Sequence, residues 1–404
     1  VTQTGPVTQT ERIVSLDVLR GVAVLGILVM NIQSFSMPGA AYMNPSAYGS
    51  LEGANHWVWY CSHVLADQKF WTIFSMLFGA GIVLMTSRAE AAGRGSAGIH
   101  YRRMGWLVLI ALLHAHLLWY GDILYFYAMC GFVAYLFRRF PPWLLVILGL
   151  LAISVTFCMS LLFGWFLREG HMPLEQAAMW WSPPPDVVDS EVAAYRGGWL
   201  DQMSNRVPSA LMFETFLLVT FIGWRTGGIM LIGMALYKLG VFSAARSRGF
   251  YAGLVAIGAL VGVPLVMYGA HRNLEAAWDV RYSFYHGALY NFWGSILVAL
   301  GWVGLVMLVC KSNVLGFAKR VLAAVGQMAL TNYLMQTFIC TTIFYGHGFG
   351  RFGHFERTEQ ILTVLAVWIV QLIWSPIWMH YFRFGPFEWL WRSLTYLKPQ
   401  PMRR

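Results

Sequence analysis

Apolar runs dominate the chain from residue 14 onward, separated by polar connections that are mostly short. The runs are roughly 17 to 25 residues long, the length an α-helix needs to cross a hydrocarbon layer. The pattern predicts an all-α polytopic transmembrane bundle of about ten spans. They fall at 14–37, 57–87, 104–120, 122–137, 143–166, 208–241, 250–270, 285–310, 321–345 and 359–381. The second and sixth runs exceed one crossing, which predicts an interfacial piece or a kink, at Asp67/Lys69 in one and in the GWRTGG stretch in the other.

The runs recur from end to end, so 14–381 reads as a single transmembrane domain. A polar segment at 1–13 precedes it and a basic amphipathic tail at 382–404 follows. The opening VTQTGPVTQTERIV has neither the basic start nor the small-residue cleavage site of a secretory signal, so the first run reads as a retained helix. Two long polar connections, 38–56 and 167–207, lie on one face, and loops of that length are often functional.

Composition strengthens the membrane reading. Hydrophobic residues make up 58% of the chain and charged ones 11%, against about 25% charged in soluble domains. The net charge of +10 does not form a nucleic-acid patch. Most of the 28 Lys and Arg residues lie in connections on one side, which by the positive-inside rule places both termini in the cytoplasm and the two long loops outside. The five cysteines are scattered singly, and neither HExxH nor GxSxG occurs, so no metal site, disulfide framework or serine-hydrolase elbow is expected.

Against this apolar background the intramembrane polar residues carry the candidate chemistry. In SLDVLRGVAVLGILVMN, Asp17 and Arg20 are i,i+3 neighbours, and Asn31 follows Arg20 by eleven residues, about three turns, on nearly the same face. Asp67 and Lys69 sit in the outer half of the second span; Lys69 either snorkels and pairs locally or offers positive potential to a carbonyl oxyanion. His114 and His116 point about 200° apart, so at most one faces a given site. His114 with Asp122 is the preferred acid–base pair, a carboxylate orienting a neutral imidazole. Arg225, flanked by glycines, suggests a broken helix lining a polar cavity and binding a phosphate or carboxylate, or else an internal ion pair. Asn332 binds substrate or knits helices together.

The blocks SLDVLRGVAVLGILVMN, AAYMNPSAYG, KFWTIFSMLFGAG, HAHLLWYGDILYFYAMCG, MALTNYLMQTFICTTIFY and YFRFGPFEWLWRSLTY, in this order, resemble the YeiB-like family of bacterial inner-membrane proteins. That family in turn distantly resembles a transmembrane acyltransferase superfamily. Its members include the acyltransferase-three enzymes, which decorate bacterial surface polysaccharides, and the lysosomal heparan glucosaminide N-acetyltransferase. Acyltransferase-three proteins carry an Arg followed eleven residues later by a His. Here Arg20 matches the Arg while Asn31 occupies the His position, as it does in the lysosomal enzyme. The resemblance implies an inner-membrane enzyme that takes an acyl, most plausibly acetyl, group from cytoplasmic acyl-CoA to an outer-side glycan or small-molecule hydroxyl or amine.

With a titrating base absent at position 31, the expected roles are His114 as base, Asp122 orienting it, and Asn31 and Lys69 polarising the carbonyl. Arg20, Arg102 and Arg103, with Asp17 beside them, would meet the CoA phosphates. Arg225, Asn332 and Asp67 would contact substrate. By analogy with such enzymes a homodimer is expected. The competing class is a transporter or flippase for an anionic or lipid-linked substrate that uses Arg225, Lys69 and Asp122 as binding and coupling groups.

Overall fold

The computed structural model describes residues 13–404, so the polar segment expected at 1–13 lies, but for Ile13, outside the described residues. Every regular element among them is helical; an isolated bridge joins Phe382 and Arg403. In chain order the main helices are α1 (Val14–Ser36), α2 (Gly53–Leu65), α3 (Lys69–Ala91), α4 (Ala97–Leu117), α5 (Leu124–Phe137), α6 (Pro142–Arg168), α7 (Leu174–Trp181) and α8 (Pro185–Arg196). Then come α9 (Met203–Lys238), α10 (Arg248–Glu275), α11 (Val280–Lys311), α12 (Gly316–Gln327), α13 (Ala329–Phe344), α14 (Arg357–Tyr381) and α15 (Pro386–Tyr396).

Seven segments of the described residues are long and apolar enough to cross a membrane: α1, the α2–α3 pair, α6, α9, α10, α11 and α14; α5 is a shorter apolar helix. The run expected at 321–345 is divided at Met328, where α12 ends and α13 begins. The overlong second run breaks at the Asp67/Lys69 position: Gln68 takes a left-handed conformation (φ 64°), so the chain turns between Leu65 and Lys69.

The sixth run differs from expectation. Rather than breaking at GWRTGG, α9 winds as a π-helix over Phe213–Ile222 and continues as a regular α-helix from Gly223. Of its glycines, Gly228 serves helix packing. A Cβ on Gly228 would lie 2.5 Å from the Gly149 carbonyl oxygen, and one on Gly149 would lie 2.7 Å from that of Gly228. The same reciprocal notch joins α3 to α9, through Gly79 against Met230 O and Gly233 against Met76 O, and α1 to α12, through Gly21 against Leu322 O and Gly326 against Asp17 O. Close backbone approach of this kind is what associates helices in lipid, where apolar burial alone offers little. Outward, α6, α10 and α14 present apolar side chains such as Leu151, Leu260 and Ile373.

The two long loops are folded and not loose. Segment 38–56 wraps the guanidinium of Arg357, which is buried and donates to the carbonyls of Ser50 (2.8 Å), Pro45 (2.7 Å) and Tyr48 (3.2 Å). An Arg suits this place because its fork of N–H donors serves several buried acceptors at once. Glu356 accepts from Ser50 N, and Tyr48 donates to Gly353 O. Segment 167–207 forms α7 and α8; Asn44 donates to Trp181 O at its end of α7, and Glu191 of α8 accepts from Gly39 N at 3.0 Å. Burial lifts the Glu191 carboxyl above its ordinary pKa, against the opposing pull of that N–H.

Candidate functional site

The turn between α4 and α5 brings His114 and Asp122 together. Asp122 lies just before α5, where its Oδ2 accepts the N–H of Tyr125 at 2.8 Å, a helix-start contact that fixes the carboxylate. Its Oδ1 then faces His114 Nδ1 at 2.7 Å, with both side chains almost fully buried. With Asp122 ionised, Nδ1 carries the ring proton and Nε2 is an acceptor. Nε2 meets the Thr337 hydroxyl of α13 at 2.9 Å. Tyr333, one turn before Thr337 and on the same face, packs against the imidazole at 5.4 Å between ring centroids; its hydroxyl accepts the Ile123 N–H at 3.3 Å. His116 points elsewhere and pairs with Glu214 at 3.1 Å.

A cavity of about 210 Å³ approaches this group from the other end of the bundle. At its mouth stand Arg20, Arg103 and Arg392, with Glu388 and Trp391 of α15; its walls are mostly apolar, with His100, Gln327 and Thr395 among them, and it ends at Ile123, Tyr127 and Tyr333. Asp122 is the next residue in the chain to Ile123, so the cavity stops just short of the buried pair. Arg20 holds Asp17 at 2.9 Å. The Arg103 guanidinium lies 4.2 Å over the Trp391 ring. Glu388 accepts from the N–H groups of Leu330 (2.6 Å) and Thr331 (3.1 Å) and from the Thr331 hydroxyl (2.6 Å), and so caps the start of α13. Burial raises its pKa, and these hydrogen bonds oppose the rise.

Several residues expected at the site stand elsewhere. Lys69 is buried and donates to His63 O and Asn291 Oδ1, each at 2.6 Å; Asn291 in turn donates to Asp67 Oδ2, which also meets His63 Nδ1 at 3.1 Å. A buried ammonium is held where acceptors offset its desolvation, and these lie on α2 and α11, away from the cavity. Arg225 belongs to the same region and donates to Phe292 O and Ser295 Oγ. It is not among the residues that line the cavity beside His114. Neither residue touches the His114 group.

Asn332 is engaged within the bundle: its amide donates to Val325 O and Ser375 Oγ and accepts from the Trp374 indole, contacts that knit α13 to α12 and α14. Arg102 is tied to the Thr395 carbonyl and does not line the cavity. Asn31 is half-buried and absent from the cavity wall. The polar stripe expected along α1 therefore supplies the cavity mouth through Arg20 alone, because the cavity turns from α1 toward α3, α4 and α5.

Thr337, Tyr333 and Glu388 do not stand out by pattern, and Arg392 does so only as part of the amphipathic tail. Tyr333 and Thr337 carry one readable signal, their i,i+4 spacing within the polar-rich MALTNYLMQTF stretch.

A family model described as "Protein of unknown function (DUF418)" matches residues 236–398. The chain is 35% identical over 395 residues to the uncharacterised protein YeiB of Escherichia coli (strain K12), covering 95% of this chain and 96% of that one. It is 32% identical over 423 residues to the uncharacterised protein YxaH of Bacillus subtilis (strain 168), covering 99% and 98%. An uncharacterised 39.9 kDa protein from the amylase 3' region of Bacillus acidopullulyticus is 26% identical over 398 residues, covering 98% and 97%. Matched along almost its whole length by relatives above 30% identity, the chain is a membrane-type helical protein that belongs to the YeiB-like, DUF418 family.

Proposed function

We propose that the protein is an inner-membrane acyltransferase that moves an acyl group, in the first instance acetyl, from cytoplasmic acyl-CoA to an outer-side hydroxyl or amine of a glycan or small molecule. The carrying observation is the cavity, with three arginines at its mouth, mostly apolar walls, and an end beside the buried His114–Asp122 pair. In this reading both termini and the arginine end face the cytoplasm and the chain crosses about ten times, α4, α5 and α13 being the crossings beyond the seven longest segments. The arginines hold the phosphates, the pantetheine arm lies along the apolar wall, and the thioester stops near Tyr333. His114 takes the proton of the attacking group, and Asp122 fixes its tautomer and balances the imidazolium.

The test is incubation of purified protein with radiolabelled acetyl-CoA, following CoA release and label transfer in wild type and His114→Ala. Release that depends on His114 supports the reading; absence of CoA binding and release with acyl chains from acetyl to palmitoyl overturns it.

A second reading, transport, draws on the other buried polar group. Asp67 Oδ1, Trp71 Nε1 and Arg225 Nε are buried there without hydrogen-bond partners, around the Lys69–Asn291–Asp67 chain. Intramembrane charges so arranged are what a coupling site requires. Proton-driven uptake in proteoliposomes that is lost in Lys69→Met and kept in His114→Ala would favour transport over acyl transfer.

A further inference from the structure

We propose that Thr337 is the nucleophile that carries the acyl group between donor and acceptor, as an ester on its Oγ. The inference rests on the acyltransfer reading and goes beyond it by naming the atom that His114 serves.

Three observations carry it. Thr337 Oγ, His114 and Asp122 form a continuous hydroxyl–imidazole–carboxylate line, 2.9 Å at Nε2 and 2.7 Å at Nδ1. That order of groups raises the nucleophilicity of a hydroxyl: the imidazole takes its proton, and the carboxylate holds the imidazole in the right tautomer. Both ring nitrogens are engaged, so the proton that Nε2 can accept without rearrangement is the one on Thr337.

The hydroxyl is also turned away from its usual partner. Thr72, Thr86, Thr342 and Thr363 each donate to the carbonyl four residues earlier in their helices, which is how a threonine satisfies itself in an apolar helix. Thr337, fully buried on α13, is aimed at the imidazole.

Thirdly, the cavity ends one helical turn away, at Tyr333. Tyr333 separates the cavity from the relay, and its displacement by the thioester admits the acyl carbon to Oγ.

The chemistry balances in two steps. In the first, the Thr337 Oγ proton passes to His114 Nε2, the Oγ–carbon bond forms, the carbon–sulfur bond breaks, and the proton leaves on the CoA thiol. In the second, the acceptor hydroxyl or amine gives its proton to Nε2, its bond to the acyl carbon forms, and the carbon–Oγ bond breaks. The proton then returns to Thr337. No oxidant or metal is consumed.

The experiment uses full-length protein in lipid nanodiscs with acetyl-CoA and no acceptor, quenched in acid and read by peptide mass spectrometry, with free CoA thiol measured in parallel. Expected are an acetyl group on Thr337, a matching burst of CoA, loss of both in the near-isosteric Thr337→Val with acetyl-CoA binding unchanged, and retention of both in Thr337→Ser. CoA release from wild type without acetylated protein, acetylation of His114 in place of Thr337, or a Thr337→Val variant within threefold of the wild-type release rate overturns the inference and leaves acyl transfer standing. A wild type that neither binds acetyl-CoA nor releases CoA overturns both.

Discussion

Trp391 and Arg103 hold each other twice: the indole N–H donates to the Arg103 carbonyl at 2.9 Å, and the Arg103 guanidinium lies 4.2 Å over the indole ring. The pair clamps α15 onto α4 at the cavity mouth, and the adjoining Arg102–Thr395 bond reinforces it.

Arg103→Met keeps the length of the stem and removes the charge. In the acyltransfer reading it raises KM for acetyl-CoA about tenfold, the effect of one charge-assisted phosphate contact of roughly 1.5 kcal/mol, with little change in kcat. Steady-state kinetics at two ionic strengths check it; a change confined to kcat would remove Arg103 from phosphate binding.

Asp122→Asn keeps the shape of the side chain but no longer fixes the proton on Nδ1 of His114. The expected loss is roughly 10²- to 10⁴-fold in kcat with acetyl-CoA binding unchanged. Single-turnover CoA release together with calorimetric binding separates this from a folding defect.

Gly79→Ala tests the α3–α9 notch. The new Cβ would lie 2.0 Å from the Met230 carbonyl oxygen, so the helices must part. A loss of about 1–3 kcal/mol is expected, the usual range for forced overpacking. The control is Gly253→Ala, whose Cβ meets nothing within 4 Å. Thermal melts of the two variants in one detergent should differ, with only the first lowered.

Glu388 predicts a pH dependence. Its folded-state pKa lies above the ordinary value of 4.5, so the folded protein binds the proton more tightly than the unfolded chain does. Its contribution to stability is complete below pH 4.5 and falls as pH rises through the raised value. Glu388→Gln should flatten the fall of melting temperature with rising pH across that window. An unchanged slope would assign the effect to another group.

Part of this organisation was legible in the sequence. The turn at Asp67/Lys69 could be read because the second apolar run was too long for one crossing. The approach of His114 and Asp122 could be read because eight residues with a Gly between them allow a turn and little else. Lys69 and Asn332 could not be placed from sequence for a physical reason: a buried polar side chain satisfied by Asn291 or Ser375 has the same sequence signature as one that meets a substrate. The cavity was beyond reach because five or more distant segments wall it. Thr337 and Glu388 gain their meaning only from groups 223 and 57–58 residues away.

The reciprocal notches have a mechanical consequence. Gly79 seats the Met230 carbonyl while Gly233 seats that of Met76, so a slide of one residue, about 1.5 Å, would drive a side chain of either helix into the backbone of the other. Helices α3 and α9 therefore travel as one body, and the Gly149–Gly228 contact adds α6 to it. Any motion in a working cycle must take place outside this block, and distance labels placed across α3 and α9 should stay constant through it.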